Sequence, residues 1–162
     1  MAPLVPRRAL TPAAIVAVVF TFVFAGAAQG ASLTRPEAAL LRVMNSARAA
    51  HGLQPLRLDE RLVSTSRSHS RTMLRAQTLF HGAFTVRIRR AGVHAPTVGE
   101  NLAWGSEGPS AARVIVDMWL ASPAHRANLL RPGFRTVGVG AVRGSFDGYA
   151  GALVVTTDFA GQ

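Results

Sequence analysis

Five histidines, eight acidic residues and no cysteine form the reactive inventory of this 162-residue chain, so thiol chemistry and disulfides are excluded. One short spacing suggests catalysis: Ser122 stands three residues before His125, the arrangement of a hydroxyl nucleophile and its base. Ser122 also precedes Pro123, and serine followed by proline marks a helix start, with the serine at the N-cap. No G-x-S-x-G elbow accompanies it. His69 falls on an otherwise apolar helical face and reads as a core histidine hydrogen-bonded to backbone. His51 closes a helix, where a cation is favoured, and His94 stands in a loop beside Ala95-Pro96. Two imidazoles and a carboxylate are the donor set of an open zinc site, with water in the fourth position. A metal there would lower the pKa of its water and permit hydrolysis. The chain has no HExxH, so spacing alone picks out no such set.

The elements that must position these residues follow from periodicity and caps. Thr34-Arg35-Pro36-Glu37 is a capping box with proline in the first turn. Leu40, Leu41, Met44 and Ala47 then recur at helical spacing up to Gly52, which predicts a helix from Arg35 to His51. Asp59 caps a second helix, in which Leu62, Ser66, His69, Met73 and Ala76 share a face to Gln77. Residues 83–98 read as irregular, with one helical turn over Val86 to Ala91. Leu102-Ala103-Trp104 reads as a short strand. Ser110 opens a third helix with Val114, Val116, Met118, Trp119 and Leu120, and Ser122-Pro123 opens a fourth through Leu130. Val137 to Val142 and Tyr149 to Phe159 read as strands of a hairpin about a Gly144 to Gly148 turn. Helices first and strands last predict an α+β fold with helices packed on an antiparallel sheet. Trp104 and Trp119 read as core aromatics that would alternatively line a cavity wall.

The first thirty residues stand apart. Arg7 and Arg8 precede Ala13 to Ala28, in which Thr21 is the one polar residue, and small residues follow at Ala28 and Gly30. This is the layout of a Sec-type signal peptide cut after Gly30, with a cut after Ala28 or a retained anchor as alternatives. The apolar run is shorter than the ~20 residues that span a bilayer. The mature chain, residues 31–162, is long enough for one domain and must hold together by packing alone. Every one of the 18 basic residues is arginine. Without Arg7 and Arg8, 16 arginines face eight acids. Such a surface attracts anionic partners such as envelope polymers. No RNP, helix-turn-helix or zinc-finger pattern accompanies it, so a specific nucleic-acid partner is not expected.

Several segments in their order resemble the cysteine-free bacterial branch of the CAP superfamily, the group of cysteine-rich secretory proteins, antigen 5 and plant PR-1 (SCP-like extracellular domains). They are Leu41-Arg42-Val43-Met44-Asn45-Ser46-Ala47-Arg48, Ser68-His69-Ser70-Arg71-Thr72-Met73, Phe80-His81-Gly82 and Gly99-Glu100-Asn101-Leu102-Ala103. The stretch from Trp119 through Ser122-Pro123-Ala124-His125 to Leu130, then Val137-Gly138-Val139-Gly140 and Thr157-Asp158-Phe159, complete the series. The resemblance implies a three-layer α–β–α sandwich with a central antiparallel sheet, and a secreted, extracellular place. It also implies a central cavity built on two histidines and two acids. The histidines correspond to His81 and His125 and the first acid to Glu100, while the second acid position holds Ser122. Asn101 beside Glu100 would satisfy loop backbone or bond a ligand. The cavity residues expected are thus His81, Glu100, Asn101, Ser122 and His125, with His81 and His125 as ligands for zinc or another divalent metal. Lipid binding among relatives makes a small apolar ligand an alternative occupant. The expectation is a monomeric binding protein rather than an enzyme. The alternatives are a zinc-dependent hydrolase of envelope components and a basic cell-surface interaction protein.

Overall fold

A computed structural model describes residues 32–106 and 108–162. The expected signal peptide lies outside these residues. Among the described residues no helix is long and apolar enough to cross a membrane. The elements are α1 (Arg35–Ala50), β1 (Arg57–Leu58), α2 (Glu60–Ala76), α3 (Phe84–Arg90), β2 (Thr97–Ser106), α4 (Ala111–Ala121), α5 (Pro123–Leu129), β3 (Phe134–Phe146) and β4 (Tyr149–Gly161).

The sheet runs in the order β1-β3-β4-β2. The three long strands are antiparallel, and two-residue β1 joins β3 in parallel, so the sheet is mixed rather than purely antiparallel. The hairpin turn is Asp147-Gly148, with both residues at positive φ, tighter than the turn expected from Gly144. Strand β2 begins at Thr97, five residues before the predicted strand, and pairs with β4 over ten residues. Gly99, Glu100 and Asn101 disfavour strand on propensity; the long ladder with β4 outweighs that cost.

Strand β4 is buried continuously from Ala152 to Ala160, the pattern of a strand covered on both faces. Its side chains divide by parity. Leu153, Val155 and Phe159 join the cluster formed with Leu40 and Met44 of α1, Trp119 of α4 and Leu129 of α5. Ala152 and Val154 meet Met73 of α2, and Ala160 meets Leu62 of α2 and Ile88 of α3. The helices therefore form two layers around the sheet, as the α–β–α expectation requires. Helix α2 lies so close on β3 that a Cβ at Gly138 or Gly140 would run into the α2 backbone at Leu62 or Ser66. Trp119 is buried and donates its indole N–H to the Leu102 carbonyl at 3.1 Å, a core role. Trp104 is half-buried against Phe146 and Tyr149.

Two charged groups fix α1. Glu37 accepts the Thr34 backbone N–H at 2.8 Å, completing the capping box, and takes Nε and Nη2 of Arg67 from α2 at 2.7 and 2.5 Å. Arg48 is fully buried and donates to the carbonyls of Gln54, Leu129, Arg131 and Phe134 at 2.8–3.2 Å. It ties α1 to the end of α5.

Candidate functional site

A pocket of about 430 Å³ opens at the free edge of β2, lined by His81, Phe84, Val98, Gly99, Glu100, Ala124, His125 and Asn128. The two imidazoles arrive from opposite layers. His81 precedes α3, on the α2 side of the sheet, and His125 lies in the first turn of α5, on the other. Gly99 lets α5 approach: a Cβ there would meet Asn128 Oδ1 at 2.8 Å and Phe134 Cζ at 2.9 Å.

Glu100 is 4% exposed and both its carboxylate oxygens are engaged. Oε1 accepts His81 Nδ1–H at 2.7 Å, and Oε2 accepts Arg87 Nη2–H from α3. His81 itself is 57% exposed at its side chain, and its Nε2 has no protein partner among the described residues. Burial, only partly offset by the Arg87 charge, pushes the Glu100 carboxyl up to about 7. His125 is half-buried; burial first, then the nearby His81 imidazole, lowers its pKa and favours the neutral ring that a metal or proton donor requires. Glu100 sits where a carboxylate orients a histidine and fixes its tautomer, behind the ring rather than beside a ligand.

Asn101 and Ser122 correct the expected cavity list. Asn101 is fully buried on the opposite face of β2 from Glu100 and does not line the pocket. Its Nδ2 donates to the His125 carbonyl at 2.9 Å and its Oδ1 accepts Asn128 Nδ2–H at 3.0 Å, which clamps α5 to β2. Both ends of the Asn101 amide are committed to α5, which leaves it a structural clamp rather than a pocket donor. Ser122 also lies outside the pocket lining. It holds the N-cap position of α5 with an extended backbone, and its carbonyl accepts Arg126 N–H at 2.8 Å. His69 is a core histidine as expected, donating Nε2–H to the Phe80 carbonyl at 2.7 Å, and it stands 3.9 Å from Glu100 Oε2. His51 donates Nδ1–H to the Ala47 carbonyl at the end of α1, and His94 is exposed.

Two members of the site escaped sequence reasoning. Arg87 reads as one of a surface trio with Arg89 and Arg90, yet it turns inward onto Glu100 and donates Nη1–H to the His81 carbonyl at 3.2 Å. Asp158 pairs in register with Glu100 across β2 and β4 and is fully buried. The signal for it was an acid inside an otherwise apolar and threonine strand, since unpaired acids are almost never buried. Among the described residues no group of three or more His, Cys, Asp or Glu is arranged to hold a metal ion. With Glu100 committed to His81 and Arg87, the two imidazoles are the titratable donors that remain among the described lining residues.

A family model described as CAP, the cysteine-rich secretory protein family, matches residues 41–159. The chain is 32% identical to the Bacillus subtilis (strain 168) protein YkwD over 116 residues, 68% of this chain and 44% of that protein. It is 34% identical to pathogenesis-related protein 1 of Arabidopsis thaliana over 85 residues, 52% of this chain and 45% of that one. It therefore spans less than half the length of these relatives. Among solved structures, an extracellular SCP-domain protein of Bacillus anthracis superposes with a TM-score of 0.64 at 26% identity, over 78% of this chain and 40% of that one. An outer surface protein of Borrelia burgdorferi gives 0.65 at 20% identity, over 78% and 92%, a likeness of fold.

Proposed function

Because this chain belongs to the CAP family of cysteine-rich secretory proteins, we propose that it is an extracellular binding protein whose β2-edge pocket takes a divalent transition-metal ion through His81 and His125. The extracellular place rests on a similar protein described as extracellular. The observation that carries the binding reading is the His81 Nδ1 to Glu100 bond of 2.7 Å. It fixes the tautomer that leaves Nε2 as a lone-pair donor, the orientation used by metal-ligating histidines. His125 supplies a second half-buried imidazole on the facing layer. Imidazole suits zinc, copper and nickel rather than magnesium or calcium. Two protein donors leave the other coordination positions to water or to a bound donor group. When bound, such an ion would act as a Lewis acid on that group; the residues here bind and orient.

The test is calorimetric titration of the full chain with Zn²⁺ at neutral pH. One ion per molecule is expected. His81→Ala and His125→Ala should each weaken binding at least tenfold, while His94→Ala, at an exposed histidine elsewhere, should leave it unchanged. Equal uptake by wild type and by the His81→Ala/His125→Ala double variant would remove the assigned site.

A further inference from the structure

Behind His81 lies a second acid that the pocket itself does not expose. Asp158 and Glu100 are directly opposed on β4 and β2, which places their side chains next to each other on one face of the sheet. Asp158 Oδ2 accepts the Ser66 hydroxyl from α2 at 2.8 Å. Asp158 Oδ1 has no donor at all and is fully buried. The nearest cationic nitrogen, Arg87 Nη2, is 3.7 Å from it, beyond a hydrogen bond.

Charge balance decides the protonation. The cations and titratable groups around the pair are Arg87 of α3, His69 of α2 and His81 before α3. Arg87 is committed to Glu100 and to the His81 carbonyl. His69 is neutral, its pKa lowered first by burial and then by Arg87, and its N–H is spent on Phe80. His81 reaches only Glu100. Two buried carboxylates against one guanidinium would leave an uncompensated charge in the core, which is expensive. A single proton on Asp158 removes that charge, gives Oδ1 its missing role as a donor, and leaves Glu100 as the anion facing Arg87 and His81.

We propose that Asp158 is a positioning residue of this pocket, held as a neutral acid that donates to Glu100 and so keeps the Glu100 carboxylate aimed at His81 Nδ1. The inference rests on the metal-binding reading only for its affinity readout. Burial pushes the Asp158 carboxyl up to about 8, with the Glu100 charge adding to the effect. The competing arrangement rotates Arg87, whose Nε is also buried and unpartnered, onto Oδ1 and makes Asp158 an anion.

Carboxyl ¹³C spectra of the full chain separate the two. The Asp158 side-chain signal should stand in the neutral-acid range at about pH 6.5, and His81 ¹⁵N spectra should show Nδ1 protonated. In Asp158→Asn the amide replaces the donor and still accepts from Ser66, so the His81 tautomer and Zn²⁺ affinity should stay within about threefold of wild type. In Asp158→Ala the tautomers should mix and affinity should fall about tenfold or more, the scale of a lost orienting partner. An ionised Asp158 at pH 6.5, or an Asn variant as impaired as the Ala variant, overturns the proposal. If the Ala variant does not fold, the carboxyl signal and the Asn variant still decide. A wild type that ignores Zn²⁺ yet shows neutral Asp158 and a fixed His81 tautomer would sink the metal reading and leave this one standing.

Discussion

Replacing Arg48 by methionine tests how a disulfide-free domain secures α1. Arg48 is fully buried and, among the described residues, has four carbonyl acceptors and no acidic partner. Burial first, then the Arg135 charge, pulls its pKa down; an arginine stays cationic nonetheless. The acceptors at Leu129 and Arg131 belong to the end of α5, where the helix presents partial negative charge. Hydrogen bonds to a charged group are worth about 1.5–3 kcal/mol each, but the four do not add. Phe134 O also receives Arg135 Nη1–H at 3.2 Å, and Arg131 O receives Phe134 N–H at 3.3 Å. Gln54 is exposed, so its carbonyl can turn to water. Only Leu129 O is left buried without a side-chain donor, a cost of about 1–3 kcal/mol. Lost packing of the guanidinium adds to this, and relief of its desolvation subtracts. The expected loss for Arg48→Met is therefore about 3 kcal/mol, or a fall of roughly 10 °C in Tm for a domain of this size. Urea denaturation followed by far-UV circular dichroism measures it. Arg48→Lys, which keeps the charge but not the fork, should lose about 2 kcal/mol. A methionine variant within about 1 kcal/mol of wild type would refute the reasoning, because desolvation would then cancel the carbonyl bonds.

Stability should also fall with rising pH over the window set by Asp158. Its folded pKa is raised to about 8 from 3.8. The stability it contributes is whole below about pH 4 and is lost as pH rises to about 8, at a limiting slope of about 1.4 kcal/mol per pH unit. Thermal melts from pH 5 to 8 should show the decline in wild type and a flatter profile in Asp158→Asn. Asp59 acts oppositely: its bonds to Arg61, outweighing burial, hold its pKa below the usual value, so its contribution fades as pH drops through the acid range. Gly140→Ala should cost at least about 3 kcal/mol in chemical denaturation, since the new methyl meets the α2 backbone at Ser66 and Arg67, which cannot yield as a side chain would. Asn101→Ala should cost about 2 kcal/mol, through the carbonyl it leaves unpaired at His125, and should weaken Zn²⁺ binding without removing any pocket-lining side chain.

What the sequence made legible was local chemistry. The Thr34 to Glu37 box, Asp59, Gly52 and the Ser122-Pro123 start placed α1, α2 and α5 within a residue or two at most ends, because caps act over one turn. The hairpin and the α+β class followed from strand runs late in the chain. Strand β2 was underestimated because its pairing partner lies more than fifty residues away, and register with β4 overrides the poor propensity of Gly99 and Asn101. Strand β1 has two residues and owes its identity to β3 alone. At the site, resemblance joined His81, Glu100 and His125, and the pocket is lined by all three. Which face of β2 each neighbour occupies required the strand's phase. That phase sends Glu100 toward His81 and Asn101 toward α5. Asp158 and Arg87 were hidden for the same reason, since charge patterning along a chain does not reveal which charges turn inward.

Glu100 rides on an outer strand whose ladder partner among the described residues is β4, residues Tyr149–Gly161. Synthesis proceeds from the other end, so a nascent chain carries both imidazoles long before the backbone that brings them together. Closing that ladder joins residues 46 to 64 apart along the chain, and contacts so distant form slowly. An ion of the kind proposed above would therefore find both rings in place only in a folded molecule, and its binding would follow folding rather than guide it.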